Sequence, residues 1–209
     1  MSVISCRVKR AVNPMAERTD QSLSIGPEDA RNYQSTLRLP DDCLLQIRSI
    51  RPDDKAALAE AFGQLSRASV HSRFLVYKKD LTDTELAYLT EVDFVRHVSL
   101  VAVLPELNPG KIVGIARYIL INQEPADLMA EFALVVVDRY QARGIGTVLL
   151  KHLANIARNA GVRTFEALVL RENTHIRELF GHCGFQTHGE VNGEMLKMIL
   201  NIDTPQPQG

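Results

Sequence analysis

The chain predicts a mixed α/β fold, and three observations carry that prediction. Short apolar runs of strand character alternate with segments whose apolar residues recur at helical spacing. Their order is one strand, a group of helices, three strands, a helix, a strand, a helix and two strands. One strand–helix–strand passage near the C-terminal half has the length of a crossover connection.

The first strand is expected at Cys43–Ile50, where Cys43, Leu45 and Ile47 alternate with Gln46 and Arg48. Arg51-Pro52-Asp53-Asp54 breaks it and supplies an acidic helix start. Ala57, Leu58, Phe62 and Leu65 then recur at helical spacing, and a second helical stretch is expected over Val70–Tyr77. Thr82-Asp83-Thr84-Glu85 has the spacing of a capping box, opening a helix that carries Leu86, Leu89 and Val92. His97–Leu104 and Ile112–Ile119 flank the turn residues Asn108-Pro109-Gly110, so they form a hairpin or meander. Ala130–Val137 is apolar throughout after Glu131, which predicts a strand buried on both faces. Ile145–Ala160 bears one apolar stripe (Ile145, Leu149, Leu153, Ile156 and Ala157) and ends at Gly161. Thr164–Leu170 is a further strand, and Thr174–Cys183 a helix stopped by Gly184. Two last strands, Phe185–Gly189 and Met195–Leu200, enclose a turn at Glu190–Glu194.

Size and composition fit this plan. The chain has 209 residues, 45% of them hydrophobic, enough for one core. Residues 1–42 hold a single aromatic, Tyr33, and no sustained period, so they read as a flexible extension with a short helix around Pro27–Gln34. The ordered domain is expected over residues 43–202, with a frayed Pro/Gln-rich tail at 203–209. Lys+Arg (24) nearly cancel Asp+Glu (25), which gives no bulk attraction to nucleic acid or an anionic membrane. Cys6, Cys43 and Cys183 lie far apart without a C-x-x-C pair, which argues against a disulfide framework or a zinc site and for a reducing, cytoplasmic setting. No apolar run reaches signal-peptide or membrane-span length.

Chemistry concentrates in Val136–Val148 (VVDRYQARGIGTV), where a buried strand ends, two glycines flank Ile145, and a helix starts at once. Glycine lets backbone N–H groups approach a ligand closely. The first turn of the helix adds unpaired N–H donors and a partial positive end. Arg143 supplies a full charge, so the turn reads as an anion site sized for a pyrophosphate. A dinucleotide fingerprint would need glycine where Leu149 stands, and no P-loop pattern occurs. A glycine-rich turn without a ligand is the plain alternative.

Gln141-Ala142-Arg143-Gly144-Ile145-Gly146 closely resembles the Q/R-x-x-G-x-G/A signature of the GNAT acetyltransferase superfamily. Asn173 after the next strand, and Leu179–Phe185 as a relative of the closing L-Y-x-x-x-G-F segment, extend the likeness over about residues 44–200. The resemblance implies an acyl-CoA N-acyltransferase fold with a central mixed, mostly antiparallel sheet flanked by helices. It also implies acetyl-CoA as co-substrate, with no metal. Backbone groups of Leu134, Val135 and Val136, on a strand that is bulged and splayed in the family, would pair with the acetyl and pantetheine amides. Gln141, Ala142, Arg143, Gly144, Ile145, Gly146 and Thr147 would form the pyrophosphate turn, and Asn173 would bond the cofactor arm.

Ser69–Phe74, Leu81–Asp93, His97–Val103 and Ala130–Ala133 further resemble the protein-lysine acetyltransferase branch. In that branch the glutamate at the position of Glu131 is the proposed general base. Offering a lysine amine neutral at pH 7 costs roughly 4–5 kcal/mol, so a carboxylate placed to take its proton is chemically sensible. As the only charge in an apolar strand, Glu131 is expected to be desolvated, which favours proton acceptance. A structural role, at an exposed strand start or paired with Arg117, is the alternative. Many superfamily members carry a tyrosine seven residues after the asparagine as general acid. This chain has Phe180, which cannot donate a proton. The acceptor implied is a primary amine, with a protein lysine ahead of a small amine. A non-catalytic acetyl-CoA-binding module remains the rival, and the assembly is a monomer or homodimer. His175 and His182 share a helix face but lack a third ligand, so capping or solvated roles fit them best.

Overall fold

The computed structural model describes residues 27–74, 78–107, 110–122 and 127–203. Among them runs one eight-stranded sheet in the order β1-β2-β3-β4-β5-β6-β8-β7. The strands are β1 Gln34–Arg38, β2 Leu44–Ser49, β3 His97–Leu104, β4 Lys111–Leu120, β5 Leu128–Val136, β6 Val162–Leu170, β7 Gln186–Asn192 and β8 Met195–Asn201. Every pairing is antiparallel except β5 with β6, which the long crossover helix α4, Ile145–Asn159, connects. The fold class expected from the sequence is therefore the one observed.

Two cores lie on the two faces of the sheet. α4 buries Ile145, Leu149, Leu153 and Ala157 against Leu100, Ala116, Tyr118 and Phe165. Helices α1, Lys55–Phe62, and α3, Asp83–Thr90, bury Leu58, Ala61, Leu86 and Leu89 against Val101, Val103 and Ile112 on the other face. Strand β3 sits between these layers, and all of its residues are buried. Such a strand must be apolar on both sides, which is why HVSLVAVL lacks the alternation of a half-exposed strand. Two polar residues, His97 and Ser99, are nevertheless carried into it. The start of α1 is fixed by Arg48, whose two guanidinium nitrogens each donate to the Asp54 carboxylate at 2.7 Å.

The sheet begins earlier than the sequence led us to expect. Within the stretch 1–42 read as an extension, Pro27–Asn32 forms a 3-10 turn and β1 pairs in register with β2. Ala30 and Leu39 are buried, and the Tyr33 hydroxyl is hydrogen-bonded to His152 on α4. β1 (QSTLR) is a polar edge strand with one face to solvent, so it leaves little apolar signal. The last turn is also shorter than expected: β7 continues through Asn192, and Gly193, at φ 62°, with Glu194 closes a two-residue hairpin. Helix α2, Arg67–Phe74, starts earlier than the stretch expected from Val70, while 75–77 and the turn residues 108–109 lie outside the described residues. Helix α5 spans Thr174–His182.

Candidate acyl-transfer site

Strand β5 is paired on both sides for only half of its length. Its register with β4 is unbroken from Ala130, opposite Leu120, to Val136, opposite Gly114. Its parallel pairing with β6 ends at Glu131, opposite Glu166. From Phe132 to Val136 the two strands part, and the β6-side backbone edge of Leu134, Val135 and Val136 has no strand partner. The pairing irregularity of β5 lies between Leu128 and Met129, against β6. A bulge at Leu134–Val136 was expected, and none is present: parting of the strands alone frees that edge. The same parting corrects the expectation that the strand is buried on both faces, since Ala133, Leu134 and Val135 are only half-buried.

The turn that follows points outward. Gln141, Ala142 and Gly144 are exposed, and Ala142 (φ 57°) and Gly144 (φ 83°) both adopt left-handed backbone. A Cβ on Gly144 would meet nothing within 4 Å. Gly144 is the N-cap of α4 and offers no side chain to its first turn, where Val148 is the first residue whose N–H returns to the Gly144 carbonyl, at 3.0 Å. The amides of Ile145, Gly146 and Thr147 thus point out of the helix start. Together with the open β5 edge, these amides leave a run of backbone groups without a strand or helix partner beside the turn.

Individual side chains depart from the expected roles. Arg143 does not stand free beside the turn: its guanidinium pairs with Asp41, between β1 and β2, and lies over the Tyr140 ring. Its charge is therefore partly spent within the protein. Gln141 donates to the Val136 carbonyl at 2.8 Å, which clamps the turn to the end of β5. Gly146 does not face outward either: a Cβ there would lie 3.4 Å from Leu179, 3.7 Å from Leu134 and 3.8 Å from Val136. Its small size keeps open the seam between β5 and α5. Asn173 caps α5 by accepting from the Ile176 N–H at 3.3 Å, a local role the sequence reading passed over. Phe180 is fully buried with its ring edge-on to Phe132, and burial pushes the nearby Cys183 thiol up to about 11.

Glu131 is the last β5 residue paired with β6, and its side chain is exposed. The desolvation expected from its apolar neighbours is absent, because they alternate to the other face or lie beyond the point where the sheet opens. Among the described residues no ion pair joins Glu131 to Arg117. Ala133 and Val135 follow on the same face as Glu131. There they line an apolar groove whose other wall is Leu58, Phe62 and Leu89, with Arg117 at its edge.

A further tie joins this groove to the turn. Asp138 accepts from the Ser66 backbone at 2.8 Å and hydroxyl at 2.6 Å, and from the Ser69 hydroxyl at 2.8 Å. Burial pushes its carboxyl up, but these hydrogen bonds outweigh burial and leave it below the usual carboxylate range. Ser66 and the role of Asp138 escaped the sequence reading, and Arg117 entered it only as an alternative partner of Glu131. A lone arginine inside IVGIARYI was the one available signal. Among the described residues no group of acidic, histidine or cysteine side chains is arranged to hold a metal, and no helix is long and apolar enough to cross a membrane.

The splayed strand pair and the uncapped helix start that follows it match the arrangement that the sequence resemblance implies for an acyl-CoA N-acyltransferase. The chain belongs to the Acetyltransferase (GNAT) family, whose model matches residues 67–185, more than half its length. It is an acetyl-CoA-dependent N-acetyltransferase. It is 31% identical to an acetyltransferase of Pseudomonas aeruginosa over 70% of this chain and 77% of that one. It is 33% identical to acetyltransferase Pat of Mycolicibacterium smegmatis over 76% of this chain, which spans only 45% of that longer protein. The GNAT domain of S. lividans PAT superposes with a TM-score of 0.74 at 28% identity, covering 81% of this chain and 97% of that domain. A Salmonella typhimurium structure, solved with its cofactor acetyl-CoA, shares the fold at 21% identity and a TM-score of 0.58, over 79% and 98% of the two chains.

Proposed function

We propose that the protein transfers an acetyl group to a protein lysine, with Glu131 as general base. The observation that supports this most is the position of Glu131 where β5 and β6 part, exposed and on the groove side of the sheet. A carboxylate there is within reach of an amine entering the groove and in contact with the solvent that would carry the proton away. The resemblance of Ser69–Phe74, Leu81–Asp93 and Ala130–Ala133 to the protein-lysine branch supports the choice of acceptor.

Acetyl-CoA, when bound, supplies an acyl group activated as a thioester. The protein's own part is alignment and proton transfer. The unpaired backbone edge of Leu134–Val136 would hold the extended arm as an added strand, and amides from Ile145 to Thr147 would take the diphosphate. Gln141, through its bond to Val136, keeps strand and turn in register. Asn173 would present its side-chain N–H groups to the arm while its oxygen caps α5. With a buried Phe180 in place of a phenol, the departing CoA thiolate would take its proton from water or leave unprotonated.

Glu131→Gln keeps the shape and removes the base. We expect kcat against acetylatable protein to fall by about 10²–10⁴-fold, with the CoA dissociation constant unchanged by calorimetry. An unchanged kcat excludes Glu131 as the base. Preference for polyamines or other free amines over proteins in the same assay excludes the lysine assignment.

A further inference from the structure

Three polar atoms on the groove side of the sheet lack an internal partner. His97 Nε2, Ser99 Oγ and Arg117 Nη1 are buried and make no hydrogen bond among the described residues. Ser99 and Arg117 are direct cross-strand partners on β3 and β4. His97 stands two residues from Ser99 and so projects from the same face. The Tyr88 ring closes over them, its centroid 5.2 Å from the His97 ring and 5.2 Å from the Arg117 guanidinium carbon. Leaving one guanidinium nitrogen, a hydroxyl and an imidazole nitrogen unsatisfied inside a fold is costly, and such a group calls for a partner from outside the fold. Arg117 also lines the apolar groove beside Ala133 and Val135.

We infer that Arg117, backed by Ser99 and His97, is a carboxylate-binding subsite that selects acceptors carrying an acidic group close to the reacting amine. The inference rests on the acceptor groove proposed above and adds a chemical class to it. One permanent positive charge, a hydroxyl and an imidazole match a monoanion. The imidazole is neutral at pH 7, because burial, and then the adjacent guanidinium, hold His97 down to about 4 against the opposing pull of Asp93. It therefore adds a hydrogen-bonding atom without adding charge. Arg117 pairs in register with Ala133, and Glu131 is the next residue along that face of β5. Diagonal neighbours of this kind stand roughly 7 Å apart. The cation at one position and the carboxylate at the other orient a dipolar acceptor, its amine toward Glu131 and its acid toward Arg117. The acid has two possible sources, the α-carboxylate of a free amino acid or an acidic side chain beside a protein lysine.

The test compares two acceptor pairs with acetyl-CoA and full-length enzyme. One pair is a lysine peptide with glutamate beside the lysine and the same peptide with glutamine. The other is L-lysine and its α-amide. Wild type should favour the acidic member of one pair by roughly tenfold to a hundredfold in kcat/KM, mainly through KM. Arg117→Met, which keeps the apolar stem, should bring that ratio close to one, and Arg117→Lys should restore part of it. The pair that responds identifies the source. No preference in wild type, or a preference that survives in Arg117→Met, overturns the inference. Ser99→Ala, a smaller change, should reduce the ratio severalfold and serves if the arginine variants fail to fold. If no acceptor is acetylated, the lysine-transfer proposal fails, and the subsite is then read directly by thermal stabilisation with butyrate. Stabilisation of wild type that Arg117→Met loses upholds the subsite, whereas equal response or none overturns it.

Discussion

The first turn of α3 is closed on itself. Thr82 accepts from the Glu85 amide at 3.3 Å, and Glu85 returns to the Thr82 amide at 2.9 Å, the reciprocal arrangement its sequence spacing announces. α4 opens after Gly144, which has no side chain to accept anything, and its leading amides face outward. Both helices pack against the same sheet, on opposite faces. A side-chain cap contributes about 1 kcal/mol, so α4 forgoes stability that α3 secures. The difference teaches what each helix start is for. One anchors a structural helix, and the other leaves its donors open, as the proposed diphosphate site requires. α4 can do without a cap because its apolar stripe, fully buried at Leu149, Leu150 and Leu153, fixes the helix from the side.

The largest effect that would break this contrast is Gly146→Asp. Its carboxylate would enter beside the apolar side chains of Leu134, Val136 and Leu179, and it would repel an anion at the helix start. We expect at least a hundredfold loss of CoA affinity by calorimetry. Gly146→Ala sharpens the point, because a Cβ there meets only ordinary contact distances and affinity should stay within about threefold. A strong loss in the alanine variant would mean that backbone freedom, not space, is the requirement at this position. Gly144→Ala comes next. No atom opposes its Cβ, but the left-handed backbone should cost about 1–2 kcal/mol in denaturant unfolding. Last is Thr82→Ala, which should cost about 1 kcal/mol of stability and leave CoA affinity untouched. If Thr82→Ala weakened CoA binding, the separation of structural and ligand-facing helix starts would collapse.

Much of this was legible locally. The capping box at Thr82 and Glu85, the stripe of α4 and the strand HVSLVAVL each announce themselves within a few residues. So does the turn Gln141–Thr147, because glycines before an amphipathic helix leave few other readings. What stayed hidden depends on partners distant in sequence. β1 is polar and exists because β2 offers it an edge. The half-exposure of Ala133 to Val135 follows from where β6 turns away, which β5 itself does not encode. Arg143 looks like a free cation until the fold brings Asp41 beside it, and the grouping of His97, Ser99 and Arg117 arises from the register of β3 against β4. Asn173 is the exception, a cap readable from its place before Thr174 but overshadowed there by its family role.

The burial of Phe180 has a consequence for how this enzyme could change. Writing a tyrosine at this position is a single substitution, but it would add a hydroxyl to a fully buried ring packed against Phe132, and burying a hydroxyl is costly unless it finds a partner. A phenolic acid at this position would therefore require α5 to be reseated, so a well-filled interior closes off one chemical option.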